Sequence, residues 1–307
     1  MHLSEISEAQ GPSRSTGESR VLLIGNDAQF TSSLEQALAA CRCSFHHAAG
    51  GADALRQIRA TPFAVVITDP HACIKEGLAL VDEIQEIRPE DRVILLAPNG
   101  TSEEIIAALR QRVFFCKTAP FEAKEIAKYA ASALEASDCP TGIEVLSAQP
   151  NWISVRMNCH ELNAERLIQF FSQFQPNLPQ QPREELMIAF REILNNAIEH
   201  GAQNDPTKSI HVDAIRTARA MVFQISDPGK GFRRDSIPHA AISNTPDQPI
   251  RHIEIREQSG MRPGGYGILA ASGIVDELIY NEIGNEVLLI KYMPTAEPQP
   301  ASTDRKG

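Results

Sequence analysis

No apolar run in this 307-residue chain approaches the length of a membrane span, which takes roughly 20 residues. The opening stretch MHLSEISEAQGPSRSTGESR lacks the apolar core of a secretion signal, and the expectation is a cytoplasmic protein with no membrane partner. An excess of basic charge is missing too: 29 Lys and Arg stand against 39 Asp and Glu, a formal net charge of −10. Nucleic acids and anionic surfaces want clustered cations, so no nucleic-acid partner is expected. Six cysteines include no CxxC pair. Tetrahedral zinc spacings are absent even from CRCSFHH at 41–47, which leaves reduced thiols as the expectation. Internal repeats and low-complexity tracts are also lacking.

What is present is enough for packed cores. The hydrophobic share is 42%, outside the range of disordered chains, and the length suits two domains. Residues 1–18 and 294–307 are polar, Pro- and Ser-containing tails without periodicity, expected to be disordered. A polar patch, EASDCPTG at 135–142, marks a linker placed at 138–143. The folded domains are therefore expected at 19–137 and 144–293.

In the first domain, short apolar runs (VLLIG, CSFHH, FAVVITD, RVILLAP, VFFCK) alternate with amphipathic stretches such as GADALRQIRA and EGLALVDEIQEI. Continuous β-branched runs between helical periods imply a doubly wound parallel sheet covered on both faces. Its order and lengths resemble the receiver domain of response regulators, a flavodoxin-like α/β fold. The resemblance places Asp69, at the end of VVITD, where such domains carry the phosphoryl-accepting aspartate. The rest of that site is missing. Gly25-Asn26 stand where an acidic pair belongs, with Asp27 one place late; Ala97 replaces a hydroxyl residue, and Ala119 replaces the lysine, with Lys117 two residues upstream. A carboxylate accepts a phosphoryl group poorly without a divalent ion and a lysine to neutralise charge. The expectation is a pseudo-receiver, used for docking or dimerisation, in which Asp69 caps a loop.

The second domain poses a question at REILNNAIEHG, residues 191–201. Asparagine is a mediocre helix former, yet two stand together in a helix built on Leu186, Met187, Phe190, Ile193, Leu194, Ala197 and Ile198. Asn195 and Asn196 lie at i+3 and i+4 from Glu192, so either can neighbour that carboxylate; periodicity does not choose between them. The segment DPGKGF puts Asp227 after an apolar strand, with Gly229 and Gly231 letting backbone approach a ligand. RPGGYG then sets Arg262, Gly264, Gly265 and Gly267 before a helix, whose amino terminus offers free N–H groups to phosphate. Strands grouped with helices in this order suggest an α/β two-layer sandwich, one mixed sheet with helices on one face. It ends in a hairpin turned at Gly284-Asn285.

These elements together resemble the GHKL ATPase superfamily, with its Bergerat-type fold, which includes histidine kinases, gyrase and anti-sigma-factor serine kinases. The resemblance implies ATP and Mg²⁺ as ligands. It matches Glu192 to the family's catalytic base and Asn196 to its Mg²⁺ ligand. Asp227 matches the aspartate that meets the adenine amino group, with Gly229 and Gly231 beside it, and Gly264, Gly265 and Gly267 match the triphosphate glycines. Arg262 is placed to reach the same phosphate, and 235–260 falls where the family has a flexible lid. The compact form, ending in GNEVLLIKYM, resembles the anti-sigma-factor serine/threonine kinase branch. That branch implies phosphoryl transfer to a regulatory partner protein, an anti-sigma antagonist or a sigma-factor-like protein, and its members are commonly homodimers. A non-catalytic, nucleotide-responsive sequestering protein and a hybrid histidine kinase remain the alternatives. His160, in CHELNAERL, reads as a helix start rather than a phosphoacceptor, and His200 as a residue favourable to the helix carboxyl end, with Gly201 the stop.

Overall fold

The computed structural model describes residues 19–293 apart from 70, 72–73, 99, 137–141, 175–177, 233–237, 239, 246 and 261–264. The tails expected at 1–18 and 294–307, and the linker residues 138–141, lie outside the described residues.

Five strands, β1 (Ser19–Ile24), β2 (Cys43–Ala48), β3 (Val65–Ile67), β4 (Arg92–Ala97) and β5 (Phe115–Thr118), form a sheet in the order β2-β1-β3-β4-β5. Every pairing in it is parallel. Helices α1 (Ala28–Leu38), α2 (Gly51–Ala60), α3 (Ile74–Ile87), α4 (Ser102–Arg110) and α5 (Ala123–Glu135) make the connections. Because side chains alternate along a strand, Leu22, Ile24, Val66 and Leu95 meet α2–α4, while Val21, Leu23, Val65 and Ile94 meet α1 and α5. Both faces are covered, as the continuous apolar runs require. Helix starts follow local chemistry: Asp27 caps α1 by accepting from Phe30 N at 2.9 Å, and Thr101 with Glu104 forms a capping box on α4.

Six further strands follow: β6 (Ile143–Gln149), β7 (Trp152–Asn158), β8 (Ser209–Arg216), β9 (Ala220–Ser226), β10 (Glu277–Tyr280) and β11 (Glu286–Tyr292). Their order is β10-β11-β9-β8-β7-β6. All neighbours are antiparallel, which corrects the mixed sheet expected from the element order. Strand β6 is not marked in the sequence. IEVLSAQ lacks the clean alternation of a half-buried strand, because a register shift between Val145 and Ser147 breaks it.

Helices α6 (Glu161–Gln173), α7 (Gln180–Asn196) and α9 (Gly267–Ile274) pack on one face, and α8 (Arg251–Gln258) lies outside that layer. Phe171, Phe190 and Phe223 are fully buried where α6, α7 and β9 meet, with ring centroids 4.5–5.5 Å apart. Each such ring contributes roughly 1.5–3 kcal/mol by burial. Helix α7 begins two residues before Pro182, which is tolerated in a first turn. His160 is the amino-terminal cap of α6, accepting from Leu162 N at 3.3 Å, as a helix start should.

The two sheets are joined by more than a linker. Strand β5 is an edge strand, and α6 runs along it. Arg166 donates to Phe114 O at 3.0 Å, Gln169 donates to Cys116 O, and Gln173 accepts from Thr118 N at 3.1 Å. Three side chains on one helical stripe thus address Phe114, just before the strand, and Cys116 and Thr118 within it. Seven helical residues rise about 10 Å and four strand residues about 13 Å, a mismatch that long side chains absorb. Arg110 of α4 also donates to Ala148 O of β6, and one apolar cluster runs through both units.

Candidate functional site

A cavity of about 530 Å³ opens between α7, α9, the loop after β9 and the loop before β11. This is within the usual range for small-molecule sites, about 300–1,000 Å³. Glu192 and Asn196, one turn apart on α7, line it together; Asn195 is exposed outside it. The choice that periodicity left open falls on Asn196. Gly267, the first residue of α9, sits against this pair: a Cβ there would lie 2.9 Å from Glu192 Oε2 and 3.4 Å from Asn196 Nδ2. A carboxylate, a carboxamide and a helix amino terminus therefore converge at one end.

At the other end stands Asp227, half-buried, just past β9. Its Oδ1 accepts from Gly229 N at 2.8 Å, and its own N–H donates to Asn285 O at 2.9 Å. Burial pushes the Asp227 carboxyl above the usual carboxylate range, with the Gly229 hydrogen bond opposing. The wall is completed by Ile225, Val287 and Tyr280, whose hydroxyl is pushed up by burial and then by the Asp227 charge. Gly201 and Gly229 are needed here for space. A Cβ on Gly229 would lie 2.7 Å from Asp227 Oδ1 and 2.9 Å from Gly201 Cα.

Gly231 lines the cavity with φ of +72°, which favours glycine. Gly265 does so with φ of +90°. Arg262 and Gly264 lie outside the described residues. Of the lid segment at 235–260, the structure describes a 3₁₀ turn (Ala241–Ser243) and α8, with Ala240 and Arg256 on the cavity wall.

Several lining residues were missed by sequence reasoning. His200 is one. Helix α7 does not stop at Gly201 in the simple way expected; it widens into a π turn, Ala197–Gly201, closed by Ala202 N to Ala197 O at 2.8 Å. The turn keeps His200 at the cavity, and such turns recur at functional sites. Its spacing of four from Asn196 was the available signal. Asn285 is another, assigned to a two-residue hairpin turn; the structure has a five-residue connection, 281–285, and puts Asn285 in the wall beside Asp227. Lys230, Tyr280 and Arg256 carried no sequence signal.

Whether a magnesium nucleotide fits can be judged from donors and space. Asn196 and Glu192 present the hard oxygen atoms that suit Mg²⁺ together with phosphate, and the glycines at 229 and 267 leave room that a Cβ would fill. The residues present fit that group.

The receiver-like unit is built differently around Asp69. Asp69 Oδ1 accepts from His71 N at 2.8 Å, a loop-capping bond, and His71 Nε2 lies 2.9 Å from Asp27 Oδ2. Lys117 pairs with Glu125 at 2.9 Å. Among the described residues, no helix is long and apolar enough to cross a membrane.

The N-terminal part is similar to the signal receiver domain of an HD domain-containing protein from Pseudomonas fluorescens Pf-5, at 21% identity with a TM-score of 0.36, covering 42% of this chain and 95% of that one. It is also similar to a response regulator receiver domain protein (CheY-like) from Methanospirillum hungatei JF-1, at 18% identity with a TM-score of 0.37, covering 40% and 98%. The C-terminal part is similar to serine-protein kinase RsbW of Oceanobacillus iheyensis, 23% identical over 115 residues that make 37% of this chain and 68% of that protein. Residues 160–291 match the family model described as histidine kinase-like ATPase domain. That region is thus similar to histidine kinase-like ATPase domains, and it follows a five-stranded parallel sheet.

Proposed function

We propose that the protein is an ATP-dependent protein kinase that transfers the γ-phosphoryl group to a serine or threonine of a regulatory partner protein. The observation that carries this is the convergence of Glu192, Asn196 and the α9 amino terminus at one end of a cavity whose other end is Asp227. Asp227 accepts a hydrogen bond from the adenine amino group, and Gly229 lets the base approach the backbone. Asn196 would hold Mg²⁺, which would neutralise charge on the phosphates. Glu192 takes the hydroxyl proton as the partner's oxygen bonds to the γ-phosphorus; the bond to the bridging oxygen breaks, and ADP leaves. N–H groups at Gly267 face the developing charge. The likeness to a serine-protein kinase favours a hydroxyl acceptor over a histidine.

The receiver-like unit serves as a docking module in this scheme. Its Asp69 is committed to a loop cap and its Lys117 to Glu125, so phosphorylation of Asp69 is not part of the mechanism. Domains at 19–137 and 144–293 suit this division of labour.

The test is a transfer assay with γ-labelled ATP, cell extract and full-length protein, wild type beside Glu192→Ala and Glu192→Gln. Acid-stable label on a partner serine or threonine is expected with wild type. Both variants should bind ATP and lose transfer. Nucleotide-dependent capture of a partner without label would replace the kinase by a sequestering protein, and full transfer by Glu192→Ala would remove Glu192 as the base.

A further inference from the structure

Strand β11 turns alternate side chains to the helix layer, and Val287 and Leu289 are buried there. The next position in that series is Lys291, whose side chain is only 12% exposed. Lysine is seldom buried unless its charge is paired. Lys291 is not among the residues lining the cavity, so its use lies elsewhere.

Its partners come from three places. Nζ donates to the carbonyl of Ile274, the last residue of α9, at 2.8 Å. It pairs with Glu185 Oε2 of α7 at 3.2 Å and lies 3.6 Å from Asp276 Oδ1, between α9 and β10. Both carboxylates are held in turn: Gln181 Nε2 donates to Glu185 Oε1 at 2.9 Å, and Tyr292 N donates to Asp276 Oδ2 at 2.6 Å. Three donors thus meet three acceptors. A cation also closes the carboxyl end of α9, where the helix dipole favours one.

Apolar burial does little to hold α9. Of its eight residues only Ala271 is fully buried, and its amino end has no side-chain cap. Yet that amino end sits against Glu192 and Asn196. The spacing along the two helices explains how. Glu185 and Glu192 are seven residues apart on α7, as Gly267 and Ile274 are on α9. Seven residues are close to two turns, so each pair shares a helix face and spans about 10 Å. The helices run antiparallel and are matched at both ends, Glu192 with Gly267 and Glu185 with Ile274 through Lys291. Gly267 has no side chain with which to fix the register itself.

We propose that Lys291 and Glu185 are positioning residues, which set the register of α9 against α7 so that the α9 amino terminus meets the Glu192–Asn196 pair. Both act through the helix they fasten. The effect on nucleotide rests on the ATP reading of the cavity; the effect on α9 rests on the geometry of the tie alone.

Hydrogen exchange, and calorimetric titration with ATP and with AMP, test this on the full chain for wild type, Lys291→Met, Glu185→Gln and the double variant. Lys291→Met leaves Ile274 O without its donor and two carboxylates without their cation. Peptides covering 267–275 should then exchange about tenfold faster or more, while those covering the Asp227 loop stay as in wild type. ATP should weaken about three- to tenfold, part of what a charge-assisted hydrogen bond is worth. AMP should stay within about twofold, because the Asp227 end is not moved. Glu185→Gln, at a part-exposed carboxylate, should show the same pattern at about two- to threefold. The double variant should lose no more than Lys291→Met does, because Glu185 acts through Lys291. If Lys291→Met fails to fold, Glu185→Gln decides by the same two readouts. Unchanged exchange in α9, or equal losses for ATP and AMP in a folded variant, would overturn the positioning role. Wild type that bound neither nucleotide would remove the ATP reading, and the exchange of α9 would still decide whether the tie holds the helix.

Discussion

Gly229→Ala puts the Asp227 end of the cavity, where the proposed function seats the base, under direct strain. The added methyl would lie 2.7 Å from Asp227 Oδ1 and 2.9 Å from both Cα and O of Gly201. These are several tenths of an ångström inside ordinary contact, so a neighbour has to move. Gly201 is backbone, held in a π turn whose next residue, Ala202, is fully buried and bonded to Ala197 O. The Asp227 side chain is the softer partner, but moving it gives up the 2.8 Å bond from Gly229 N. The lost bond costs about 1 kcal/mol and the residual overpacking about 1–3 kcal/mol. Where that strain is relieved by turning the carboxylate away, ATP loses its adenine anchor, and 1.4 kcal/mol is already about tenfold in affinity. The expectation is a 10- to 100-fold weaker ATP isotherm, ~10–100 by the same arithmetic, with a melting point lowered by only a few degrees. A folded Gly229→Ala protein that bound ATP as wild type does would refute the assignment of Asp227 and Gly229 to the base.

Asp227→Asn separates function from stability. The folded-state carboxyl is raised, so the folded protein holds that proton more tightly than the unfolded chain does, and wild-type stability falls as pH rises from the ordinary value of 3.8 through the raised one. The variant lacks this loss. Its stability relative to wild type should grow across that window and then level off, in denaturant titrations, while ATP binding drops about tenfold or more. Arg166→Met tests the joint between the units. The residue is only 7% exposed, and its guanidinium lies 4.5 Å from the Phe114 ring centroid and donates to Phe114 O and Asn163 Oδ1. Removing it leaves buried acceptors without those donors, at about 2–4 kcal/mol in chemical denaturation. Loss of stability below about 0.5 kcal/mol would mean the joint carries little energy.

The parallel sheet was readable because its strands are buried on both faces and so are written as unbroken apolar runs between helical periods. The place of Asp227, Gly229 and Gly231 at the cavity was readable for a different reason: DPGKG just after an apolar strand marks a turn where backbone packs too closely for a Cβ. Asn196 needed the fold to separate it from Asn195, since both neighbour Glu192 in sequence periodicity. His200 was hidden by the π turn, which adds a residue to the helical repeat and carries the side chain back to the cavity. Strand β6 was hidden by its register shift. Least visible was the α6–β5 seam: Arg166, Gln169 and Gln173 look in sequence like the solvated face of an amphipathic helix, and only the unpaired edge of β5 explains them. Their role is to satisfy backbone groups that an edge strand would otherwise offer to another chain.

His252 and Arg256, both buried in α8, were equally silent, because RHIEIREQ fell within the flexible lid expected at 235–260. Its partners come from Asn244 and Tyr266, eight and fourteen residues from His252 in opposite directions along the chain.

The central claim is that this cavity binds ATP with Mg²⁺ on Asn196. Calorimetric titration of ATP into the full chain, with and without Mg²⁺, for wild type and Asn196→Ala, tests it most directly. The account predicts binding by wild type that strengthens with Mg²⁺, and a variant in which the Mg²⁺ dependence is gone. A folded wild-type protein that gave no ATP isotherm, or an Asn196→Ala protein with its Mg²⁺ dependence intact, would contradict it.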